Sequence, residues 1–437
     1  MSRISRRDFV KFMGAGGALS AFGLAGCESA PKVASSTAAR TMPRVVVVGG
    51  GFGGATCAKY LRLYEPGLNV TLVEQNARYV TCPGSNWMLG GMRTLEQLTQ
   101  SYATLRDKHG VTVVNDRVTG VDGGKRRVTL ASGKVLEYDR LVMAPGIDFR
   151  WGEIEGYDEA TSQIMPHAWK AGPQTVLLQK QLAAMDDGGT FIMAPPPMPF
   201  RCPPGPPERA SMVAHYFKTR KPKSKILILD AKDNFSKQAL FTQAWEQLYP
   251  GMIEWVPATS GGKVVRVDAR GQTVHTASGD THKGSVTNII PAQRAPGIAV
   301  DAGLVNASGW CPVDQTSFES TQVPGIHVIG DASVAGALPK SGHAANNIGK
   351  MTAAAIVSLL RGAAPPQPSH VNTCYSLAGP DYGISIAAVY RLGEDGQLQG
   401  IRGAGGLSPA DASAQQRSQE AGYAQGWYMS IVADSFG

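Results

Sequence analysis

The stretch Arg44-Val-Val-Val-Val-Gly-Gly-Gly-Phe-Gly-Gly54 limits the fold more than any other part of the chain. Four consecutive valines make a strand apolar on both faces, the mark of a buried parallel sheet. The strand runs straight into Gly49-x-Gly51-x-x-Gly54, with Gly53 inside the loop. Ala55 to Tyr64 then place Cys57, Ala58 and Leu61 on one helical face. Asn69-Val-Thr-Leu-Val-Glu74 is the next strand, and Glu74 falls twenty residues beyond Gly54. In that context Gly49 allows the tight turn, Gly51 lets backbone approach a pyrophosphate, and Gly54 lets the helix pack closely. The helix N-terminus faces the phosphates, and Glu74 accepts from ribose hydroxyls.

Distal segments choose between dinucleotides. A β-meander follows, through Val118-Thr119, Arg127 to Leu130 and Val135 to Tyr138, and Leu141-Val-Met-Ala144-Pro-Gly146 closes this half. Much later Gly325-Ile-His-Val-Ile-Gly330-Asp331 ends a strand before a long helix, Ala344 to Leu360. In two-dinucleotide flavoproteins, Ala144, Gly146, Gly330 and Asp331 would approach a flavin, which favours FAD over NAD. The expected class is therefore α/β. Two Rossmann-like domains are expected, the first split in sequence, with a smaller α+β domain at the C-terminus. Its parts are residues 41–148 and 291–362 (FAD domain), 149–290 (second Rossmann-like domain) and 363–437 (C-terminal domain), after a leader at 1–40. Helices are read at 94–109, 168–185 and 208–219.

The second unit departs from its own pattern. After the strand Thr190 to Met193 a nicotinamide-binding domain would place a second glycine loop. This chain has Ala194-Pro-Pro-Pro-Met-Pro-Phe-Arg-Cys-Pro-Pro-Gly-Pro-Pro-Glu-Arg209. Prolines lack the N–H groups a pyrophosphate needs. A nicotinamide site is replaced by a thiol, Cys202. Arg201 and Arg209 flank it in sequence, and neighbouring cations favour a thiolate.

Ser5-Arg6-Arg7-Asp8-Phe9-Val10-Lys11 matches a twin-arginine export signal, followed by about 15 weakly apolar residues, too few to span a bilayer. Leu24-Ala25-Gly26-Cys27 resembles a lipoprotein box; cleavage around Ala30 to Ala39 is the other outcome. The expected location is periplasmic, with a membrane attachment only through a lipidated Cys27. The formal charge is +8, but residues 1–40 hold six Lys/Arg against two Asp/Glu, so half the excess lies in the leader. That leaves no electrostatic case for nucleic acid. Cys57, Cys82, Cys202, Cys311 and Cys374 remain for an oxidising compartment; Cys57 and Cys311 read as packing residues. No metal site is expected, because neither cysteines nor histidines have ligand spacing.

Further strings carry a family resemblance: Thr81-Cys82 before Ser85-Asn86, Pro166-His-Ala-Trp-Lys-Ala-Gly172, Pro199-Phe-Arg-Cys-Pro-Pro-Gly-Pro206, Glu208-Arg-Ala-Ser211, Trp310-Cys-Pro-Val-Asp314, Pro339-Lys-Ser-Gly342, Asn372-Thr-Cys-Tyr375, and Trp427 before Asp434-Ser-Phe-Gly437. With the glycine loop they cover essentially the whole chain after the leader. The chain resembles the flavoprotein subunit of flavocytochrome c sulfide dehydrogenase, a relative of sulfide:quinone reductases and two-dinucleotide disulfide reductases. The resemblance implies sulfide oxidation with FAD and electron delivery to a c-type cytochrome subunit that carries the haem. It implies a thioether from Cys82 to the flavin, a redox-active Cys202–Cys374 disulfide, Glu208 as its acid/base, and Trp427 near the flavin. Pro83-Gly84 departs from bulkier residues found in the family. Lys340 is either a counter-charge for reduced flavin or a solvated helix-start lysine. Two other functions share these features: a sulfide:quinone reductase-like enzyme, and an exported flavin-thiol accessory protein serving a sulfur-carrier protein.

Overall fold

In the computed structural model, which describes residues 42–437, the valine run forms β1 (Arg44–Val48), with Val45 to Val48 buried. The export string, Cys27 and the processing boundary lie outside the described residues. β1 is followed by α1 (Phe52–Tyr64), β2 (Asn69–Glu74), β3 (Thr112–Asn115) and β4 (Arg140–Met143). These strands and one from residues 326–328 make a five-stranded parallel sheet. Between β3 and β4 the meander forms a separate three-stranded antiparallel sheet.

A second parallel sheet contains β5 (Thr190–Ala194), β6 (Lys225–Leu229), β7 (Ile253–Val256) and β8 (Val286–Ile289), in the order β7-β6-β5-β8. Its helices include α2 (Gly205–Arg220) and α3 (Gln238–Leu248). The chain returns to the first sheet as β9 (Ile326–Val328), giving the order β9-β4-β1-β2-β3, and continues into α4 (Gly342–Leu360). The split first domain is thus as expected. The third layer is an antiparallel sheet of β10 (Ser369–Gly379), β11 (Tyr382–Leu392) and β12 (Leu398–Leu407), crossed by α5 (Ala414–Phe436).

Local corrections have tertiary causes. The helix expected at 94–109 is broken: Leu95–Leu98 and Ala103–Asp107 flank a short strand, Thr99–Ser101, that pairs with Arg78–Val80. Thr94 and Gln97 cap the first turn reciprocally, and the Tyr102 hydroxyl donates to the Gly50 carbonyl at 3.0 Å. The helix expected from Ala168 starts only at Pro173, because residues 166–168 are tied elsewhere by Arg209 and Asn288. α2 begins three residues before the expected Glu208, with Pro206 and Pro207 in its first turn, where a missing N–H costs nothing.

α5 binds the layers together. Asn346 of α4 donates to Thr56 Oγ1 of α1 at 3.0 Å, and to Asp434 Oδ2 and Ser435 Oγ of α5 at 2.8 and 3.0 Å. Asp434 also pairs with Lys350 at 2.6 Å and accepts from Tyr60 at 2.7 Å. Phe436 packs on Phe52 and Tyr79 beside the glycine loop. The C-terminal string is therefore a clamp on the first dinucleotide unit.

Candidate active site

A cleft of about 480 Å3 opens at the C-terminal ends of the first sheet. Gly49, Gly51, Gly53, Glu74, Cys82, Ala144, Gly146, Cys202, Gly330, Asp331 and Lys340 all line it. Gly54 lies behind the lining, in the turn itself: a Cβ there would meet the Gly49 carbonyl oxygen at 1.8 Å. Glu74 Oε2 accepts from Gly50 N at 2.8 Å, and its Oε1 accepts from Asn76 N at 2.9 Å. The acid holds the loop open while facing the cleft.

These residues fit a flavin dinucleotide. Asp331 Oδ1 is buried without a hydrogen-bond partner, the acceptor a ribitol hydroxyl would satisfy. Its other oxygen faces Arg201 Nη1 at 3.7 Å. Lys340 is not the solvated lysine allowed above. Its Nζ donates to the carbonyls of Asp331 and Ser333, both at 2.7 Å, and stands 3.9 Å over Trp310. Burial pulls its pKa down to about 8. The lysine fixes the Asp331 segment and keeps a titratable charge at the cleft.

The described residues hold no disulfide; Cys57, Cys82, Cys202, Cys311 and Cys374 stand as free thiols. Cys202 has φ +56, and its backbone bridges Lys340 O at 2.7 Å and Gly205 N at 2.8 Å. Gly205 leaves room for it, since a Cβ there would lie 3.1 Å from Cys202 Sγ and 2.6 Å from Trp169. The expectation that Arg201 and Arg209 favour a Cys202 thiolate is corrected. Burial, then the charges of Cys374, Glu208 and Cys82, push the Cys202 thiol well up, and Arg201 only partly opposes them. Both arginines are spent elsewhere. Arg201 Nη2 donates to Cys82 Sγ at 3.0 Å and to the Trp169 carbonyl. Arg209 binds Asn86 Oδ1, Asn288 Oδ1, and the carbonyls of His167 and Ala168.

Glu208 sits buried in the first turn of α2. Oε1 accepts from Trp87 Nε1 and Leu377 N, both at 3.0 Å, and Oε2 accepts from Asn86 Nδ2 at 2.9 Å. Burial raises its pKa, and those donors together with Lys237 oppose the rise. The Leu377 bond ties α2 to β10 three residues past Cys374, and the Glu208 charge reaches both Cys374 and Cys202, which lies just ahead of α2. Cys374 and Trp427 are outside the cleft lining. Trp427 packs instead beside His343 and Tyr375, in an open hollow of the C-terminal layer. Sequence reasoning missed Lys237 of the second domain, whose Nζ donates to Cys374 O at 3.2 Å, and the pin between Arg201 and Cys82. The quoted strings around Cys82 and His167 were the available signal for the latter.

Fold and site together define a flavoprotein of the two-dinucleotide-domain, disulfide-oxidoreductase class. Residues 43–178 match the family model for pyridine nucleotide-disulphide oxidoreductases. Residues 175–291 match the central part of the sulfide dehydrogenase [flavocytochrome c] flavoprotein chain, and 366–436 the flavocytochrome c sulphide dehydrogenase flavin-binding region. The chain belongs to the flavocytochrome c sulfide dehydrogenase flavoprotein family. A sulfide dehydrogenase [flavocytochrome c] flavoprotein chain from Chlorobaculum thiosulfatiphilum is 67% identical over 43 residues, 10% of this chain and 90% of that sequence. Sulfide-quinone reductase of Aquifex aeolicus is 34% identical over 120 residues, 28% of each chain. Mouse mitochondrial sulfide:quinone oxidoreductase is 24% identical over 296 residues, 66% of this chain and 65% of that one. These two alignments thus span under two thirds of either relative. The solved Aquifex aeolicus sulfide:quinone oxidoreductase superposes with TM-score 0.69 at 19% identity, covering 90% of this chain and 92% of that one, a likeness of fold.

Proposed function

We propose that the chain is the FAD-bearing subunit of an exported sulfide dehydrogenase, working in the periplasm with a c-type cytochrome that carries the haem. The observation that carries this reading is the cluster of Cys202, Cys374 and Glu208 beside a cleft built for a flavin dinucleotide, in a chain whose second dinucleotide site is closed by proline. The glycine loop, Glu74 and Asp331 would hold the FAD, and Cys82, pinned by Arg201, would join it covalently. Flavin when bound accepts electrons in pairs and releases them singly, which suits a thiol donor and a haem acceptor.

The protein's own residues supply the sulfur chemistry. In the oxidised Cys202–Cys374 pair, hydrosulfide attacks one sulfur and the other leaves as thiolate. Glu208, whose pKa burial raises, is the group between α2 and β10 that would pass protons to and from the pair. A second sulfide would release the bound sulfur as polysulfide. The fold likeness to a sulfide:quinone oxidoreductase keeps quinone as the second reading for the acceptor.

The test is anaerobic titration of the flavin absorbance with sulfide, with c-type cytochrome or a quinone added afterwards. Bleaching followed by cytochrome reduction is expected. Absence of bleaching would leave the accessory-protein reading, and reoxidation by quinone alone would replace the acceptor. Cys202→Ser should lose bleaching while keeping the yellow colour. Acid precipitation should carry the colour with the protein through Cys82; a yellow supernatant excludes the thioether.

A further inference from the structure

Lys237 precedes α3 with φ +59, a left-handed backbone that a lysine adopts only where its surroundings impose it. Its side chain is 6% exposed and crosses from the second domain into the C-terminal sheet. Nζ donates to the Cys374 carbonyl at 3.2 Å, Ser376 Oγ at 2.9 Å and the Ile384 carbonyl at 3.4 Å. An ammonium has three donors, and here all three go to neutral oxygens. Lys237 is absent from the described ion pairs near the site, Arg201 with Asp331 and Arg417 with Glu420. A buried cation without a touching carboxylate is costly unless something nearby becomes negative.

The groups that become negative around it are, in order of influence, Cys374, Glu208, Cys202 and Glu420. The two thiols of the cluster are therefore unequal. Burial raises both. At Cys374, Lys237 is the larger charge effect and opposes burial, while Glu208 adds to it. At Cys202, Cys374, Glu208 and Cys82 all add to burial, and the opposing Arg201 is shared with Cys82 and Asp331.

We propose that Lys237 makes Cys374 the leaving sulfur of the Cys202–Cys374 pair, so that hydrosulfide is captured on Cys202. This rests on the disulfide reading given above. A bond forms between the incoming sulfur and Cys202 Sγ as the Cys202–Cys374 bond breaks. The incoming sulfur is oxidised to the persulfide level. The Cys374 sulfur keeps the electron pair of the broken bond and is reduced to thiolate. One negative charge enters as hydrosulfide and ends on Cys374, against the ammonium. The better-stabilised thiolate leaves faster, which sets the direction. Lys237 is a positioning residue, acting through Cys374.

The test uses the reduced, flavin-loaded protein, pulse-alkylated with iodoacetamide across about pH 5 to 10, with both cysteines followed by peptide mass spectrometry. Cys374 should react first and with the lower pH midpoint. Lys237→Met should raise that midpoint and slow Cys374 alkylation near neutrality by about tenfold or more, and Lys237→Arg should restore it. Ser376→Ala removes a hydrogen bond and keeps the charge, so the order should persist. Cys202 reacting first in the wild type overturns the proposal, whether or not the methionine variant folds. An unchanged Cys374 profile in folded Lys237→Met also overturns it. A second arm treats the oxidised protein with sulfide: persulfide on Cys202 is expected, and persulfide on Cys374 overturns the direction. A protein that ignores sulfide yet shows the alkylation order removes the enzyme reading and leaves the thiol asymmetry standing.

Discussion

The molecule contains two parallel sheets of one design, and they have opposite fates at the same topological point. In the first, β1 enters a glycine loop, and Glu74 at the end of β2 faces an open cleft. In the second, β5 enters a proline loop, and Asp230, just past β6, occupies the matching place. Asp230 is 2% exposed; Lys232 Nζ reaches it at 2.5 Å and Trp255 Nε1 at 3.1 Å. Lys232 also donates to the Pro196 carbonyl at 2.9 Å and stands 5.1 Å over Phe200. Pro195, Phe200, Pro203, Pro206, Pro207, Phe235 and Trp245 fill the rest of that site. A dinucleotide site can thus be closed without changing the sheet. Donors are removed from the loop and the ribose acid is given an internal cation.

The strongest way to break this contrast is to damage the open site. Gly54→Val would place side-chain atoms into the Gly49 carbonyl, where even a Cβ approaches to 1.8 Å. The loop cannot keep its path, and a colourless protein is expected, checked by the flavin absorbance of purified material. Yellow protein with normal stoichiometry would show that the loop does not hold the cofactor.

The closed site should fail in stability instead. Asp230→Ala leaves Lys232 enclosed without its carboxylate, a loss of about 3 kcal/mol or more, read by denaturant unfolding. Flavin content should be unchanged. Asp230→Ala with Lys232→Met should recover most of the loss, because both charges go together. Glu74→Ala should do the reverse: little loss of stability, and flavin affinity weaker by about tenfold to a hundredfold after loss of the ribose acceptor, measured by cofactor reconstitution if the thioether is absent or blocked in Cys82→Ser.

Much of this contrast was legible beforehand, and the reason is that it is local. Valine run, glycine spacing, Glu74 and the prolines each carry their meaning within a few residues. Cys202 stood out for the same reason, whereas Glu208 was named only through the family resemblance. What stayed hidden depends on direction in space. Arg201 and Arg209 are close to Cys202 along the chain, yet one guanidinium turns to Cys82 and the other into Asn86 and Asn288. Lys237 reads as an ordinary lysine until β10 is laid against it. The clamp formed by Asp434 and Phe436 lies 360 residues or more from much of what it holds. Thr99–Ser101 broke an expected helix because a partner strand claimed it.

A smaller effect is expected under acid, and it bears on the first sheet and the C-terminal layer. Strands β5 to β8 contain no histidine, whereas His327 lies in β9 and His370 in β10, both fully buried. Burial lowers each from 6.5 to about 4. His370 has no hydrogen-bond partner on either ring nitrogen and meets Phe318 edge-on at 5.8 Å. Both rings are neutral in the native state, so between about pH 4 and 6.5 the unfolded chain binds more protons. Stability is therefore fully present above 6.5 and declines as pH falls through that window, by up to about 1.4 kcal/mol per pH unit for each ring. His370→Phe keeps the ring and its contact with Phe318 while removing the proton site. Its unfolding free energy should fall less steeply with acid than the wild type between about pH 4 and 6.5, by about one proton's slope, and the two slopes should agree above that window. Parallel curves would mean that His370 is hydrated or partnered in solution.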